Sequence, residues 1–318
     1  MLSTRDRDLR PAARSFAPTF HLTNRQRDIL VSYLFVSPWI IGFVFFLAGP
    51  MIASLYLSFT KYTVGSIPLW LGLDNYERML TDPLFRNSLQ VTIKYTIFSL
   101  PLGTLAALAV ATLLNQKVFG VGFFRTVVYL PSVVSGVAAA LVFSWIFNFR
   151  FGILNYLLSL IGVSGPNWLG RPQWALWAFV IMSLWGLGAN TVIFLAALQG
   201  VPVELQEAAT IDGASNWRRF VSISLPMISP AILFVLIMGV IGSFQTFTSA
   251  YVMTGGGPAN STMFYLLYLY KNAFNWFEMG YASALAWLLF LVILTLTMLL
   301  LRSSGRWVYY EVGSEGRG

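Results

Sequence analysis

The sequence predicts an all-α, polytopic membrane protein with six transmembrane helices, and three observations carry that prediction. Of its 318 residues, 57% are hydrophobic and 10% charged, whereas a soluble domain is roughly a quarter charged and a little under half apolar. Mean hydropathy is +0.70; because even a globule of about 300 residues leaves roughly a quarter of its chain's surface wet, lipid has to be part of the solvent. Third, the chain holds six apolar runs of about the 20 residues that a helix needs to cross roughly 30 Å of hydrocarbon. They span Val31 to Phe59, Leu89 to Leu114, Phe123 to Phe147, Ala175 to Leu198, Ile228 to Val252 and Tyr281 to Leu301. None of the 12 acidic residues lies inside them, and basic residues such as Lys94 and Arg125 touch only their ends.

The first run follows a polar arm, residues 1–30, carrying Arg5, Arg7, Arg10, Arg14, Arg25 and Arg27. It is too far into the chain and too long for a cleavable signal peptide, so it is expected to stay as the first span. Six spans place both termini on one side. With Lys117, Arg125, Arg218, Arg219, Arg302, Arg306 and Arg317, the terminal side holds thirteen of the 20 basic residues, and by the positive-inside rule both termini are expected in the cytoplasm. The membrane domain is therefore expected over 31–301, with a cytoplasmic loop at 200–226 and a cytoplasmic tail at 302–318. Turn formers in the outer segments, among them Gly72, Asp82-Pro83, Gly165-Pro166 and Gly255-Gly256-Gly257-Pro258, predict short ordered loops. Trp70, Trp168, Trp174 and Trp276 are expected as interfacial anchors.

Several function classes drop out on composition. With no cysteine and one histidine, His21, cysteine-rich metal sites, thiol nucleophiles and histidine-based triads are excluded. The net charge of +8 is spread between apolar runs instead of forming one nucleic-acid-binding stripe. No carboxylate or histidine sits inside a span, which disfavours a self-sufficient ion-driven carrier, and a membrane enzyme would lack an acid–base set. Energy has to come from another chain.

The long cytoplasmic connection, Gly200 to Pro226, reads as a helix–turn–helix lying on the membrane. Pro202 suits the first turn of a helix of about eleven residues and Gly213 its end; Ser215 caps a second helix that Pro226 breaks. Glu204 and Glu207 beside Ala208 and Ala209 form a small, flat, charged face, either a docking surface or a solvated loop. The spacing resolves the choice by resemblance. Glu207-Ala208-Ala209, three residues, Gly213, nine residues, Ile223, one residue and Leu225-Pro226 resemble the EAA motif in membrane subunits of binding-protein-dependent ABC importers. The resemblance implies the type I importer permease fold, and a coupling helix that docks on an ATPase through Glu207, Ala208, Ala209 and Gly213. Asp212, Ala214, Trp217 and Phe220 resemble the extended motif.

Further stretches, including Gly72-Leu73-Asp74-Asn75-Tyr76, Asp82-Pro83-Leu84-Phe85, Gly152-Ile153-Leu154-Asn155 and Gly280-Tyr281-Ala282-Ser283-Ala284, resemble carbohydrate importers of the maltose/glycerol-phosphate type. Gln90-Val91-Thr92 departs from the Asn-Thr common there. The resemblance implies a second permease subunit, two copies of an ABC ATPase and an extracytoplasmic solute-binding protein as partners. It implies no cofactor on this chain, ATP and Mg being bound by the ATPase.

A sugar path needs inward polar and aromatic groups to replace lost water hydrogen bonds. Ser243 and Thr246 share a helix face with Gly239 and Gly242 at i, i+3, i+4 and i+7, flanked by Gln245 and Phe247; the fourth span offers Trp185, Gly186 and Asn190. The two glycines are expected to serve helix packing. No Arg or Lys lies deep in a span, which favours a neutral carbohydrate over glycerol phosphate; a polyol or peptide is the alternative cargo.

Overall fold

The computed structural model describes residues 23–116 and 119–309. His21, Lys117, Arg317, most of the N-terminal arm and the end of the C-terminal tail lie outside the described residues. The chain divides into two compact units, residues up to Ala53 and residues from Ser54 onward.

In the first unit, α1 (Asn24–Phe43) runs through a π-turn (Val44–Ala48) into the start of α2 (Gly49–Ser58). The π-turn has a local cause. Gly49 N–H reaches back five residues to Val44 O, and this widened turn makes room for Pro50, whose ring would otherwise clash with a carbonyl of the preceding turn. The apolar side chains face outward, as for Phe35 and Phe46, 81% and 85% exposed, the pattern of a helix whose solvent is lipid.

The second unit opens with a two-residue antiparallel ribbon, β1 (Thr60–Lys61) with β2 (Leu69–Trp70), a small addition to the all-α expectation. Then come α3 (Asp74–Thr81) and α4 (Pro83–Leu114). Asp82 caps α4 through the amides of Leu84 and Phe85 with Pro83 in its first turn, so the second helix starts six residues before the apolar run does. Next are α5 (Val121–Tyr129), a 3₁₀ turn (Leu130–Val133), α6 (Gly136–Ile146), α7 (Ile153–Leu160), α8 (Pro172–Trp185) and α9 (Gly188–Gln199). The loop at 200–226 carries α10 (Val203–Ile211), α11 (Asn216–Arg219), a π-turn (Phe220–Ser224) and α12 (Leu225–Met227). Last come α13 (Ser229–Phe244), α14 (Thr248–Met253), α15 (Tyr265–Tyr270), a π-turn (Lys271–Asn275) and α16 (Met279–Ser304).

Among the described residues four helical spans are long and apolar enough to cross a membrane, and six if two bent pairs each count as one. The third span turns by 99° between Val121–Val133 and Gly136–Ile146, and the fourth by 46° between Pro172–Trp185 and Gly188–Gln199. Pro131 and the Gly186–Leu187 break stand at these bends, where a helix loses a donor or gains a flexible residue.

The outer segments are more structured than short loops. They hold α3, α7 and α15, the last contributing Tyr265, Leu267 and Tyr268 to the largest core cluster together with Phe85, Phe179 and Leu285. Trp168 is corrected from interfacial anchor to core residue. It is 8% exposed, packs on Phe147 and donates to Asn155 Oδ1 at 2.7 Å, whereas Trp70 is 65% exposed. α4 is the central strut, packed on α8, α9, α13 and α15. Ala107 and Ala111, both fully buried, let it approach Phe194, Leu195 and Leu198 of α9.

Candidate functional site

The loop at 200–226 follows the sequence closely at its first turn. α10 is nine residues, shorter than the eleven expected, with Pro202 as its N-cap. Its end is a Schellman motif: Ala214 N–H bonds Ala209 O at 2.9 Å, Gly213 N–H bonds Thr210 O at 3.0 Å, and Gly213 sits in the left-handed region at φ +77°. Ser215 caps the second helix through the Arg218 amide. Pro226 does not break that helix. Leu225 N–H reaches back to Phe220 O, and this π-turn absorbs the proline so that α11 runs on to α12.

The two arms of the loop are tied together by Gln206 Nε2 donating to Ser224 Oγ at 3.1 Å and Arg219 Nη1 donating to Thr210 Oγ1 at 2.6 Å. Glu207, Ala208, Asp212 and Gly213 are exposed, Ala209 and Ala214 half-buried. Trp217 is 74% exposed and packs at a tilt against half-buried Phe220. Sequence reasoning missed Ile211, 87% exposed, and Val203, 63% exposed, which widen the apolar part of this face. Their exposure is a property of the fold; together with Trp217 they count because they add to one apolar patch, not as single exposed residues.

A second site lies between α4, α8, α9 and α13. A cavity of ≈ 200 Å³ is lined by Tyr95, Ser99, Thr104, Ser183, Asn190 and Ser243, with Gly186, Gly239, Gly242 and Thr246 among the remaining contributors. Gly186, Asn190, Ser243 and Thr246 are thus brought together as expected from sequence. Trp185, Gln245 and Phe247 are not: Trp185 packs edge-on against Phe143, Gln245 caps the end of α13, and Phe247 stacks on Tyr251 and packs at a tilt against Tyr270. The glycines divide. A Cβ on Gly239 would lie 2.2 Å from Leu100 Cδ1, a packing glycine, whereas one on Gly242 would meet nothing within 4 Å, so packing does not explain Gly242.

Tyr95, Ser99 and Thr104 on α4 and Ser183 on α8 were missed because each sits in a predominantly apolar span; only the fold turns them to one side. Thr104 Oγ1 is buried with no partner, and Tyr95 stands among Ser99, Ser183 and Thr246. Apart from Leu100 and Leu187 the lining is hydroxyl, amide and glycine, with no charged side chain. It can exchange hydrogen bonds with a neutral polyhydroxylated solute and offers nothing to neutralise an anion. The helices break beside it, α8 to α9 at Gly186–Leu187 and α13 to α14 at Gln245–Phe247, the kind of interruption that lines solute paths in membrane proteins.

At the ribbon end of this unit, Asp82 collects four donors: the Leu84 and Phe85 amides, the Tyr281 hydroxyl at 2.7 Å and the Tyr268 hydroxyl. Burial works against its charge, but the hydroxyls of Tyr268 and Tyr281 and the two amides outweigh it and hold its pKa below the usual carboxylate value. Burial and the same carboxylate push the Tyr268 phenol up to about 12. Arg78 pairs with Glu278 at 2.8 Å and lies over the Tyr281 ring at 4.1 Å. This cluster joins α3, α4, α15 and α16.

Residues 99–308 match the model of the family described as binding-protein-dependent transport system inner membrane component. The chain is 42% identical over 295 residues, 91% of its length and 95% of the relative's, to the probable ABC transporter permease protein YesP of Bacillus subtilis strain 168. It is 34% identical, over 87% of its length and 95% of the relative's, to the trehalose/maltose transport system permease protein MalF of Thermococcus litoralis. Its fold matches a chain of the bacterial alginate ABC transporter solved in complex with an alginate pentasaccharide-bound periplasmic protein, with TM-score 0.76, 25% identity, and 88% and 95% of the two chains covered.

Proposed function

The chain belongs to the family of binding-protein-dependent transport system inner membrane components, and from that premise we propose that it forms one half of the translocation path for a neutral carbohydrate. It is a multi-pass inner membrane permease of an ABC importer and not the hydrolytic subunit. The observation that carries the cargo reading is the uncharged lining of the cavity between α4, α8, α9 and α13. Relatives that carry trehalose, maltose, lactose and arabino-oligosaccharides in their names support it. Glycerol phosphate is the weaker alternative, because its phosphate would enter a cavity lined by no Arg or Lys; a polyol fits the same lining.

In this reading an extracytoplasmic binding protein delivers the solute, a second permease subunit completes the path, and two copies of an ABC ATPase bind ATP and Mg and supply the energy. Both termini face the cytoplasm, as the distribution of basic residues favours, and 31–301 is the permease domain. The coupling surface is the exposed face of α10 and its turn: Glu207, Ala208, Ala209, Asp212, Gly213, Ala214, Trp217 and Phe220, extended by Val203 and Ile211. Small side chains allow close approach, the carboxylates offer hydrogen-bond acceptors, and the bare apolar groups gain from burial under a partner. Solute contact falls to Gly186, Asn190, Ser243 and Thr246, joined by Tyr95, Ser99, Thr104 and Ser183; Trp185, Gln245 and Phe247 stay outside it.

The test is to purify the tagged chain gently from its own membranes, identify what accompanies it, and screen the co-purified binding protein against neutral sugars, polyols and sugar phosphates. Recovery of a second permease and an ABC ATPase with neutral-sugar binding is expected. Isolation alone, with uptake driven by an ion gradient, would replace this reading with a secondary carrier.

A further inference from the structure

Beside α10 lies a cavity of ≈ 990 Å³, lined by residues that include Asn115, Gln116, Arg125, Gln206, Glu207 and Arg219. Arg125 donates to Leu114 O, at the C-terminus of α4, at 3.1 Å. Arg219 donates to Thr210, Gln206 and Asn216. Each guanidinium nevertheless keeps a shielded Nε–H with no acceptor, and neither forms an ion pair; the ion pair among the described residues is Arg78–Glu278. Two cations with unspent, desolvated donors next to one carboxylate leave a net positive cavity that an anion would complete.

A second, apolar groove of ≈ 550 Å³ adjoins it, lined by Leu105, Leu108, Ala109 and Leu113 of α4 and by Trp217 and Phe220. Thr112 and Phe220 line both spaces, so the charged cavity and the apolar groove lie side by side. The groove follows one face of α4 at helical spacing toward the interior of a membrane span, and the arginines stand at the end of that span, at headgroup level. We propose that this composite site binds an anionic phospholipid, its phosphate between Arg125 and Arg219 and an acyl chain along Leu105, Ala109 and Leu113. Charge at one end and apolar surface running away from it fit a lipid; a free phosphate would use only the first, and an ATPase surface has no need of a groove along a span. The site lies against α10, so bound lipid would brace the coupling loop.

The test uses the full chain purified with its transporter subunits. It is offered equal amounts of phosphatidylglycerol and phosphatidylcholine, and retained lipid is counted by native mass spectrometry. Preference for phosphatidylglycerol is expected, falling about fivefold for each of Arg125→Gln and Arg219→Gln and surviving in Arg125→Lys, which keeps the charge if the glutamine variant fails to fold. Ala109→Trp, at an exposed position that fills the groove, should reduce retention of both lipids. Excess inorganic phosphate should not displace the lipid. Equal retention of the two lipids by the wild type, or indifference to the arginine changes, overturns the proposal. Displacement by phosphate together with indifference to Ala109→Trp assigns the cavity to a soluble anion instead. No retained lipid overturns the proposal and leaves the groove, with Trp217 and Phe220, to the ATPase surface. The readout does not depend on which side of the membrane this end faces, and so tests the lipid site separately from the orientation proposed above.

Discussion

Replacing Gly213 by alanine isolates one physical demand of the loop at 200–226. At φ +77° an L-residue brings its Cβ close to the following carbonyl, which costs roughly 1–2 kcal/mol. A Cβ there would meet nothing within 4 Å, so no steric clash adds to that figure, and asparagine, which tolerates the left-handed region, should cost less. The strain acts on the two bonds of the motif, Ala214 to Ala209 and Gly213 to Thr210, and a change of that size shifts the closed-to-frayed ratio by about five- to thirtyfold. Hydrogen exchange at the Gly213 and Ala214 amides of the purified complex reads it directly. Exchange should accelerate by about that factor in Gly213→Ala and by less in Gly213→Asn, with exchange in α16 unchanged. Equal protection in wild type and Gly213→Ala would refute the reasoning, because it would mean the turn holds its shape without the glycine.

Three further outcomes follow from the same geometry. Glu207→Ala should abolish solute uptake while membrane insertion, read by protease accessibility, is unchanged; full uptake would remove Glu207 from the coupling face. Gly239→Ala forces Leu100 aside and should lower stability by about 1–3 kcal/mol, seen in thermal unfolding in detergent, whereas Gly242→Leu should leave stability nearly intact and block uptake by filling the cavity; the reverse pattern would show the two glycines misassigned. Asp82 has a folded pKa below its unfolded value, so its contribution to stability is complete above the unfolded pKa of about 3.9 and is lost as pH falls through the folded one. Asp82→Asn should therefore be less stable at pH 7 and show a flatter acid dependence below about pH 4 in tryptophan-fluorescence melts; parallel acid profiles would exclude the carboxylate as the cause.

Span positions were legible because lipid demands apolar runs, and the turn after α10 because Gly213, Ser215 and Pro202 act through backbone conformation, which is local. What was hidden is non-local. The 99° bend of the third span could not be read from Pro131 alone, since Pro38 and Pro101 sit inside helices that continue. Pro226 was misread for a related reason: a π-turn costs nothing visible in sequence, yet it lets a proline pass. Trp168 became core because Asn155 satisfies its indole, a partner thirteen residues away. The cavity was half legible. Ser243, Thr246 and Asn190 stand out as polar residues in short apolar neighbourhoods, but Tyr95, Ser99 and Ser183 join them only through the packing of α4 and α8, which no periodicity records.

The connectivity of the loop suggests how its motion would reach the cavity. α9 enters the loop and α13 leaves it, and each borders a break at the cavity, α9 at its start after Trp185 of α8 and α13 at its end after Phe244. At 1.5 Å per residue, α9, of 12 residues, is a lever of about 18 Å, and α13, of 16 residues, one of about 24 Å. The join is short and ordered: Gly200 N–H bonds Ala196 O and Ala197 O, and Val201 N–H bonds Leu198 O. We hypothesise that displacement of α10 is carried as a rigid push to the Gly186–Leu187 and Gln245–Phe247 breaks, where the backbone can give. A lever works only while its joint is stiff. Inserting two glycines after Gln199 should therefore leave assembly with the ATPase and its hydrolysis in place while uptake falls about tenfold, the loss expected if some 1.4 kcal/mol of the coupling between the two sites disappears. Undiminished uptake by that variant would mean that the force travels by another route, through contacts between α4 and the loop.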